Sequence, residues 1–266
     1  MARIYPICSS SEGNSTFIGT RTHGILVDAG CSFRMLKSSL GYIDTEFSGI
    51  EAIFITHEHI DHIRGLEQVF KHTKLPVFAT KGTIDAILSD PRCTYGDIAR
   101  FYDITAEPYQ SADFRVTSFR TSHDAAQSCG YHIEYCGRHI GVCTDTGTVT
   151  PEAEMALLGC DAVLLESNYD ADMLRKNPKY HIELKRRILG QKGHLSNKDC
   201  AAFAEKLIKS GTTQLILGHL SKENNTPDTA TACVVDHLHR CGLKRERDYT
   251  LDIAPVTTDG QFISLG

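Results

Sequence analysis

The sequence predicts an α/β protein carrying two sheets, and three observations predict it. First, an apolar run, Ile53-Phe54-Ile55, has the composition of a buried strand and stops at a polar cluster of His57, Glu58, His59, Asp61 and His62. Second, residues 24–30 (Gly-Ile-Leu-Val-Asp-Ala-Gly) and 139–147 (His-Ile-Gly-Val-Cys-Thr-Asp-Thr-Gly) both run into Asp-x-Gly, so that Asp145 aligns with Asp28 and Gly147 with Gly30. Third, residues 51–56 (Glu-Ala-Ile-Phe-Ile-Thr) and 161–166 (Asp-Ala-Val-Leu-Leu-Glu) follow in turn as buried strands that each end on a polar residue. The duplication is weak in identity, and chance similarity of two buried strand pairs is the competing explanation. A genuine repeat predicts two sheets about a pseudo-twofold axis, with strand ends meeting at one site.

Residues 8–15 are small and polar, and a strand resumes at Thr16-Phe17-Ile18; Gly13-Asn14 is turn chemistry and predicts a hairpin, with a substrate role as an equal alternative. Residues 24–30 form a short buried strand ending at Asp28, with Gly30 freeing the backbone afterwards, and 33–40 form a short helix. Helices follow over 63–71, with Gly65 near the start, and over 83–88; between them 75–80 reads as a strand opening after Pro76. Short alternating runs over 101–119 predict strands. In the final third, 184–189, 197–209 and 229–240 are helical, and 215–218 (Leu-Ile-Leu-Gly) is one more buried strand.

No linker rich in Pro, Gly or Ser divides the 266 residues, which predicts a single domain over 1–266. The start, Met-Ala-Arg-Ile-Tyr-Pro, lacks a basic segment followed by an apolar one, and no apolar stretch approaches the ~20 residues of a membrane span. A cytoplasmic protein without a membrane segment is expected. The ten cysteines are scattered with no Cys-x-x-Cys pair, as reduced core cysteines would be. A net charge of −5 excludes a globally basic nucleic-acid binder but leaves room for a local basic groove.

In a helix His57 and His59 would stand about 200° apart around the axis; in an extended loop they can share an ion. Three imidazoles and a carboxylate within six residues already fill one four-coordinate shell, and with further ligands downstream this points to two metals, His57 and His59 on one, Asp61 and His62 on the other. The bland alternative is a solvated His-rich turn, disfavoured because the cluster directly follows a strand and further ligands exist downstream. The pattern His-x-His-x-Asp-His after a hydrophobic strand resembles the signature of the metallo-β-lactamase superfamily. The resemblance implies a four-layer αββα sandwich with two mixed sheets and a dinuclear hydrolase centre.

The remaining ligands are chosen by position. His123, in Thr-Ser-His-Asp after the strand pattern of 114–119, lies where that superfamily places its third histidine; His132 and His139 sit in strand-like runs that suit half-buried or solvent-facing roles. Asp145 suits bridging, since one carboxylate can serve two ions about 3.5–4 Å apart. A helix-cap or turn aspartate is the alternative, and it fits Asp28 better, which is placed behind the ligands, orienting the histidine loop by hydrogen bonding. His219 follows a buried strand directly. The expected set is His57, His59, His123 and Asp145 on one ion and Asp61, His62, Asp145 and His219 on the other, with a shared water as nucleophile. Nitrogen and oxygen donors without thiolate fit Zn or Mn, with Fe as a further option.

Such ligands alone serve lactams, thioesters or phosphodiesters equally. Glu166 closing its strand, with His194 just before a helix, looks like the ribonuclease Z branch, which implies a proton shuttle. Glu166 would orient His194, and His194 would stabilise the scissile phosphate or protonate the leaving oxygen; with Asp61 they make the expected catalytic group. The alternative for His194 is a neighbour of a helix cap. Lys185, Arg186 and Arg187 concentrate basic charge on a short amphipathic helix and, with Ser196 and Asn197, are the candidate substrate contacts, although a basic run is ordinarily a solvated face. Ser-Ser-Ser-Glu-Gly-Asn-Ser, Val-Asp-Ala-Gly, Thr-His-Glu-His-Ile-Asp-His, Thr-Asp-Thr-Gly, Glu-Ser-Asn-Tyr-Asp, Leu-Lys-Arg-Arg-Ile-Leu, Gly-His-Leu-Ser-Asn and Leu-Gly-His-Leu-Ser-Lys-Glu-Asn-Asn together resemble the YycJ (WalJ) family across nearly the whole chain. That resemblance implies a cytoplasmic, metal-dependent nuclease with 5′ to 3′ exonuclease action on DNA. The competing readings are a small-molecule or cyclic-nucleotide phosphodiesterase, a thioester or lactam hydrolase, and a metal-stabilised binding module without turnover. Oligomeric state stays open.

Overall fold

A computed structural model describes residues 2–258 and 260–265. The chain opens with β1 (Ala2–Ser10), β2 (Gly13–Gly19) and β3 (Gly24–Val27), then α1 (Phe33–Tyr42), β4 (Ile50–Phe54), α2 (Ile60–Ile63), α3 (Leu66–His72), β5 (Val77–Ala79), α4 (Lys81–Ser89), β6 (Phe101–Asp103), β7 (Tyr109–Gln110) and β8 (Phe114–Arg120). It continues with β9 (Cys129–Tyr135), β10 (Arg138–Cys143), α5 (Pro151–Leu157), β11 (Ala162–Glu166), α6 (Ala171–Lys176), α7 (Ile182–Leu189) and α8 (Asn197–Lys209). The last elements are β12 (Gln214–Gly218), α9 (Pro227–Arg240), β13 (Thr250–Ile253) and β14 (Ile263–Leu265). Two units emerge: Met1–Ser118 with Ala125–Cys129 and Pro255–Gly266, and Phe119–Asp124 with Gly130–Ala254.

In the first unit a seven-stranded sheet runs β14-β1-β2-β3-β4-β5-β6. Pairing is antiparallel from β14 to β3 and parallel from β3 to β6, so the sheet is mixed. β3 and the Ala52–Phe54 end of β4 read as uninterrupted apolar runs because both faces are covered. Leu26, Ile53, Ile55 and Val77 are fully buried in one cluster with Leu36 and Leu40 of α1 and Leu66 and Val69 of α3. The hairpin turn falls on Ser11-Glu12 rather than on Gly13-Asn14: Ser10 pairs with Gly13 and Ser9 with Asn14, so both predicted turn residues are already in the ladder.

Inside the second unit the sheet runs β13-β12-β11-β10-β9, parallel from β10 to β13 and antiparallel at the β9–β10 hairpin. Val163 and Leu165 of β11 and Leu215 and Leu217 of β12 pack in one buried cluster with Ala204 and Leu207 of α8 and Val234 and Leu238 of α9. Ser196 caps α8 by accepting from Asp199 N, and Thr226 caps α9, whose first turn begins with Pro227. The expected helix over 197–209 is matched to the residue. The one over 63–71 is split at Gly65 into α2 and α3, because Gly65 N donates to Ala29 O and holds the break.

All ten cysteines are free. Among the described residues no helix is long and apolar enough to cross a membrane.

Candidate metal centre and active site

β4 delivers the chain to the histidine cluster, and residues 55–59 are irregular, so His57 and His59 escape the helical separation that would keep them apart. His57 Nε2 lies 3.0 Å from His59 Nδ1, and the two rings are 4.5 Å apart. Asp61 and His62 come from the single turn of α2, with His62 Nε2 3.5 Å from Asp61 Oδ2. His57 also neighbours His62, with ring centroids 4.1 Å apart.

Behind them, buried Asp28 accepts from Thr56 N at 2.8 Å through Oδ1 and from His62 Nδ1 at 2.8 Å through Oδ2. A carboxylate on Nδ1 fixes the tautomer and leaves Nε2 as the lone-pair nitrogen. Burial pushes the Asp28 carboxyl up from its ordinary range, opposed by His62 and Thr56. Thr56 was not singled out by sequence, yet its hydroxyl touches Asp28, His57 Nδ1 at 3.0 Å and His62 Nδ1 at 3.2 Å. Asn14 Nδ2, also missed as a single residue, lies 3.1 Å from His62 Nε2 and 3.3 Å from Asp61 Oδ2. Its signal was the quoted motif around it; for Thr56 only adjacency to His57 could have served.

The second unit gathers Asp145, Glu166, His194 and His219, whose ligand atoms all lie within 4.8 Å of one another. Asp145 Oδ1 is 3.6 Å from His123 Nε2 and 3.5 Å from His219 Nδ1. Fully buried Glu166 is the hub: Oε1 takes both His194 Nδ1 and His219 Nδ1 at 2.8 Å, and Oε2 accepts from Thr146 N at 2.8 Å and Leu195 N at 3.1 Å. Burial works against ionisation of Glu166, but the two imidazoles outweigh it and hold the carboxyl below its usual range. His123 Nδ1 faces Gly193 O at 2.9 Å, and burial lowers its pKa, favouring the neutral ring a metal needs. Asn168, a further residue not singled out, donates to His219 O at 2.7 Å. The His194 side chain is 20% exposed and that of His219 only 2%, so a substrate can reach the first and not the second.

The candidate substrate contacts divide. On α7, which has no buried residue, Lys185 Nζ donates to Arg175 O, Arg187 pairs with Asp124, and Arg186 is exposed. Ser196 is committed to capping α8, and buried Asn197 to a network with Ser167 and Asn225.

A family model described as "Beta-lactamase superfamily domain" matches residues 23–220. Exodeoxyribonuclease YycJ of Bacillus anthracis is 34% identical over 89% of this chain and 89% of its own. The chain belongs to the beta-lactamase superfamily, in the branch of YycJ and WalJ. Exodeoxyribonuclease WalJ of Streptococcus pneumoniae is 32% identical over 94% of both chains. Among solved structures, the metallo-beta-lactamase fold protein YhfI from Bacillus subtilis superposes with a TM-score of 0.70 at 17% identity, covering 97% of each chain. The superfamily's α/β fold with two mixed sheets, expected from the sequence, is therefore the fold of this chain, and its His/Asp clusters carry the donors of a divalent-metal site.

Proposed function

We propose that residues 1–266 act as one catalytic domain, a cytoplasmic metal-dependent phosphodiester hydrolase that degrades DNA from its 5′ end. Two relatives named as exodeoxyribonucleases, covered over 89% and 94% of their own length, support the polymer substrate. Free cysteines throughout suit a reducing compartment. The observation that carries the chemistry is Glu166, one buried carboxylate tied at 2.8 Å to the Nδ1 of both a proposed ligand, His219, and a proposed acid, His194.

The donors are imidazoles and carboxylates with no thiolate, a set that fits two Zn or Mn ions, or Fe. His57, His59, His123 and Asp145 would hold one ion, and Asp61, His62, Asp145 and His219 the other. When bound, the ions supply Lewis acidity and an activated water. His194, with Nδ1 held by Glu166, presents Nε2 to the scissile phosphate and gives its proton to the leaving oxygen. Glu166 fixes the tautomer and stabilises the charged ring. Exposed Arg186 meets the phosphate backbone, and Lys185 and Arg187 add positive charge beside it while held by Arg175 O and Asp124; Ser196 and Asn197 serve by fixing the start of α8 just after His194.

Metal-loaded protein incubated with single- and double-stranded DNA and RNA, labelled at either end, tests this. The expected result is mononucleotide release from 5′-labelled DNA, absent in Asp145→Ala. His194→Ala should keep its metal and lose on the order of 10²–10⁴-fold in kcat. No cleavage of any polymer under Mn or Zn would refute the nuclease reading. Equal losses on DNA and on a small chromogenic phosphodiester after Arg186→Glu would favour the small substrate instead.

A further inference from the structure

Away from the residues assigned above, the β9–β10 hairpin carries His132, Glu134 and His139. Their ligand atoms all lie within 4.8 Å of one another. The strand register explains why: His139 is directly across from Glu134, and His132 is two residues from Glu134 on the same face. The imidazoles stack with centroids 5.2 Å apart and planes 15° from parallel, and His132 Nε2 is 3.1 Å from His139 Nδ1.

We propose that His132, Glu134 and His139 form a separate divalent-cation site of Zn²⁺-binding chemistry on this hairpin. Two nitrogens each about 2.0–2.1 Å from a tetrahedral Zn²⁺ stand roughly 3.3 Å apart, so the observed pair needs a shift of only a few tenths of an ångström. The same spacing, 3.0 Å, separates His57 Nε2 and His59 Nδ1. Glu134 supplies the anionic donor, and because a carboxylate has two oxygens it can give one to the ion while the other keeps a protein partner. The scaffold under the rings is fixed: Asp161 accepts from His139 N at 2.8 Å and from Arg138 Nη1 at 2.9 Å. Three protein donors leave a fourth position for water, the open form of a Zn²⁺ site. Joining adjacent strands, the ion closes a short loop and stiffens the hairpin.

The test is metal content after equilibrium dialysis against chelator-buffered Zn²⁺, comparing the intact chain with His132→Asn/His139→Asn, circular dichroism confirming that both are folded. The variant should carry one Zn²⁺ fewer per chain. Equal Zn²⁺ content in the folded variant overturns the proposal. Crystals of the unaltered chain grown with Zn²⁺ give an answer independent of the variant's folding. An anomalous peak bonded to both ring nitrogens supports the site, and absence of density at the hairpin overturns it. Neither outcome depends on whether the chain is a nuclease.

Discussion

Asp28, Asp145 and His219 share a backbone state: their φ angles are 63°, 56° and 55°, in the left-handed region that costs a non-glycine residue on the order of 1–3 kcal/mol. Each follows the end of a buried strand, so the strain sits where the chain must turn its side chain toward chemistry. The paired glycines do a different job from the one their spacing suggests. Gly30 is not the left-handed residue; a Cβ built on it would lie 1.6 Å from Asp61 O, and one on Gly147 would lie 2.3 Å from Gln191 O. Each glycine lets a neighbouring loop of its own unit close in, the α2 segment in one case and the approach to His194 in the other. Gly30→Ala should therefore cost more than the ~1–3 kcal/mol of ordinary overpacking, read as a fall in the urea midpoint, because backbone must move. Gly41, inside α1 with nothing within 4 Å of a Cβ, is the control: Gly41→Ala should stabilise by roughly 0.5–1 kcal/mol. Thr56 gives a second test, since its hydroxyl ties Asp28 to both His57 and His62. Thr56→Val should weaken metal binding on the order of 10–100-fold in chelator competition, and Thr56→Ser should restore it.

Among the elements, α7 carries the proposed contacts to the phosphate backbone. Its basic run is only partly available, because Arg187 is engaged by Asp124 on the loop that carries His123. Arg186→Glu should weaken DNA binding and flatten the dependence of log K on log salt by about one phosphate contact, ~0.7–0.9 in slope. Arg187→Glu should also disturb the His123 loop and so lower metal affinity, a separable signature. Ser196→Ala removes the α8 cap and should cost about 1 kcal/mol while leaving KM for DNA unchanged. The elements legible in the sequence were those with a strong period or a continuous apolar run: β3, β4, β11, β12 and α8 are long or fully buried enough to print their pattern. Elements held by local hydrogen bonds were not. α6 spans Ala171–Lys176 and rests on the Asp170 cap, too short for periodicity to register. The site divides the same way. Imidazoles and carboxylates announce themselves by clustering, whereas Thr56, Asn14 and Asn168 are common residue types whose role exists only once the chain is folded.

At the scale of the whole molecule, the carboxylate proposed to hold metal and the one behind the proposed ligands are a burden to each other without it. Asp145 and Glu166 are both buried in the second unit, and the charge of Asp145 opposes ionisation of Glu166. A bound cation replaces that repulsion with attraction, and because it binds the folded chain its binding free energy adds to stability. At free metal about 100 times Kd, one site contributes about 2.7 kcal/mol. For a chain of this size 1 kcal/mol moves Tm by about 2–4 °C, so chelation should lower Tm by roughly 5–10 °C per site emptied. A generic stabilising effect of salt would give the same sign, and Asp145→Asn separates the two. The amide keeps the shape of the carboxylate and removes its charge, so the variant should melt higher than the unaltered chain in chelator and gain less from added metal. If the variant melts lower in chelator and gains as much from metal, then Asp145 is a structural turn residue and the ligand set built around it fails.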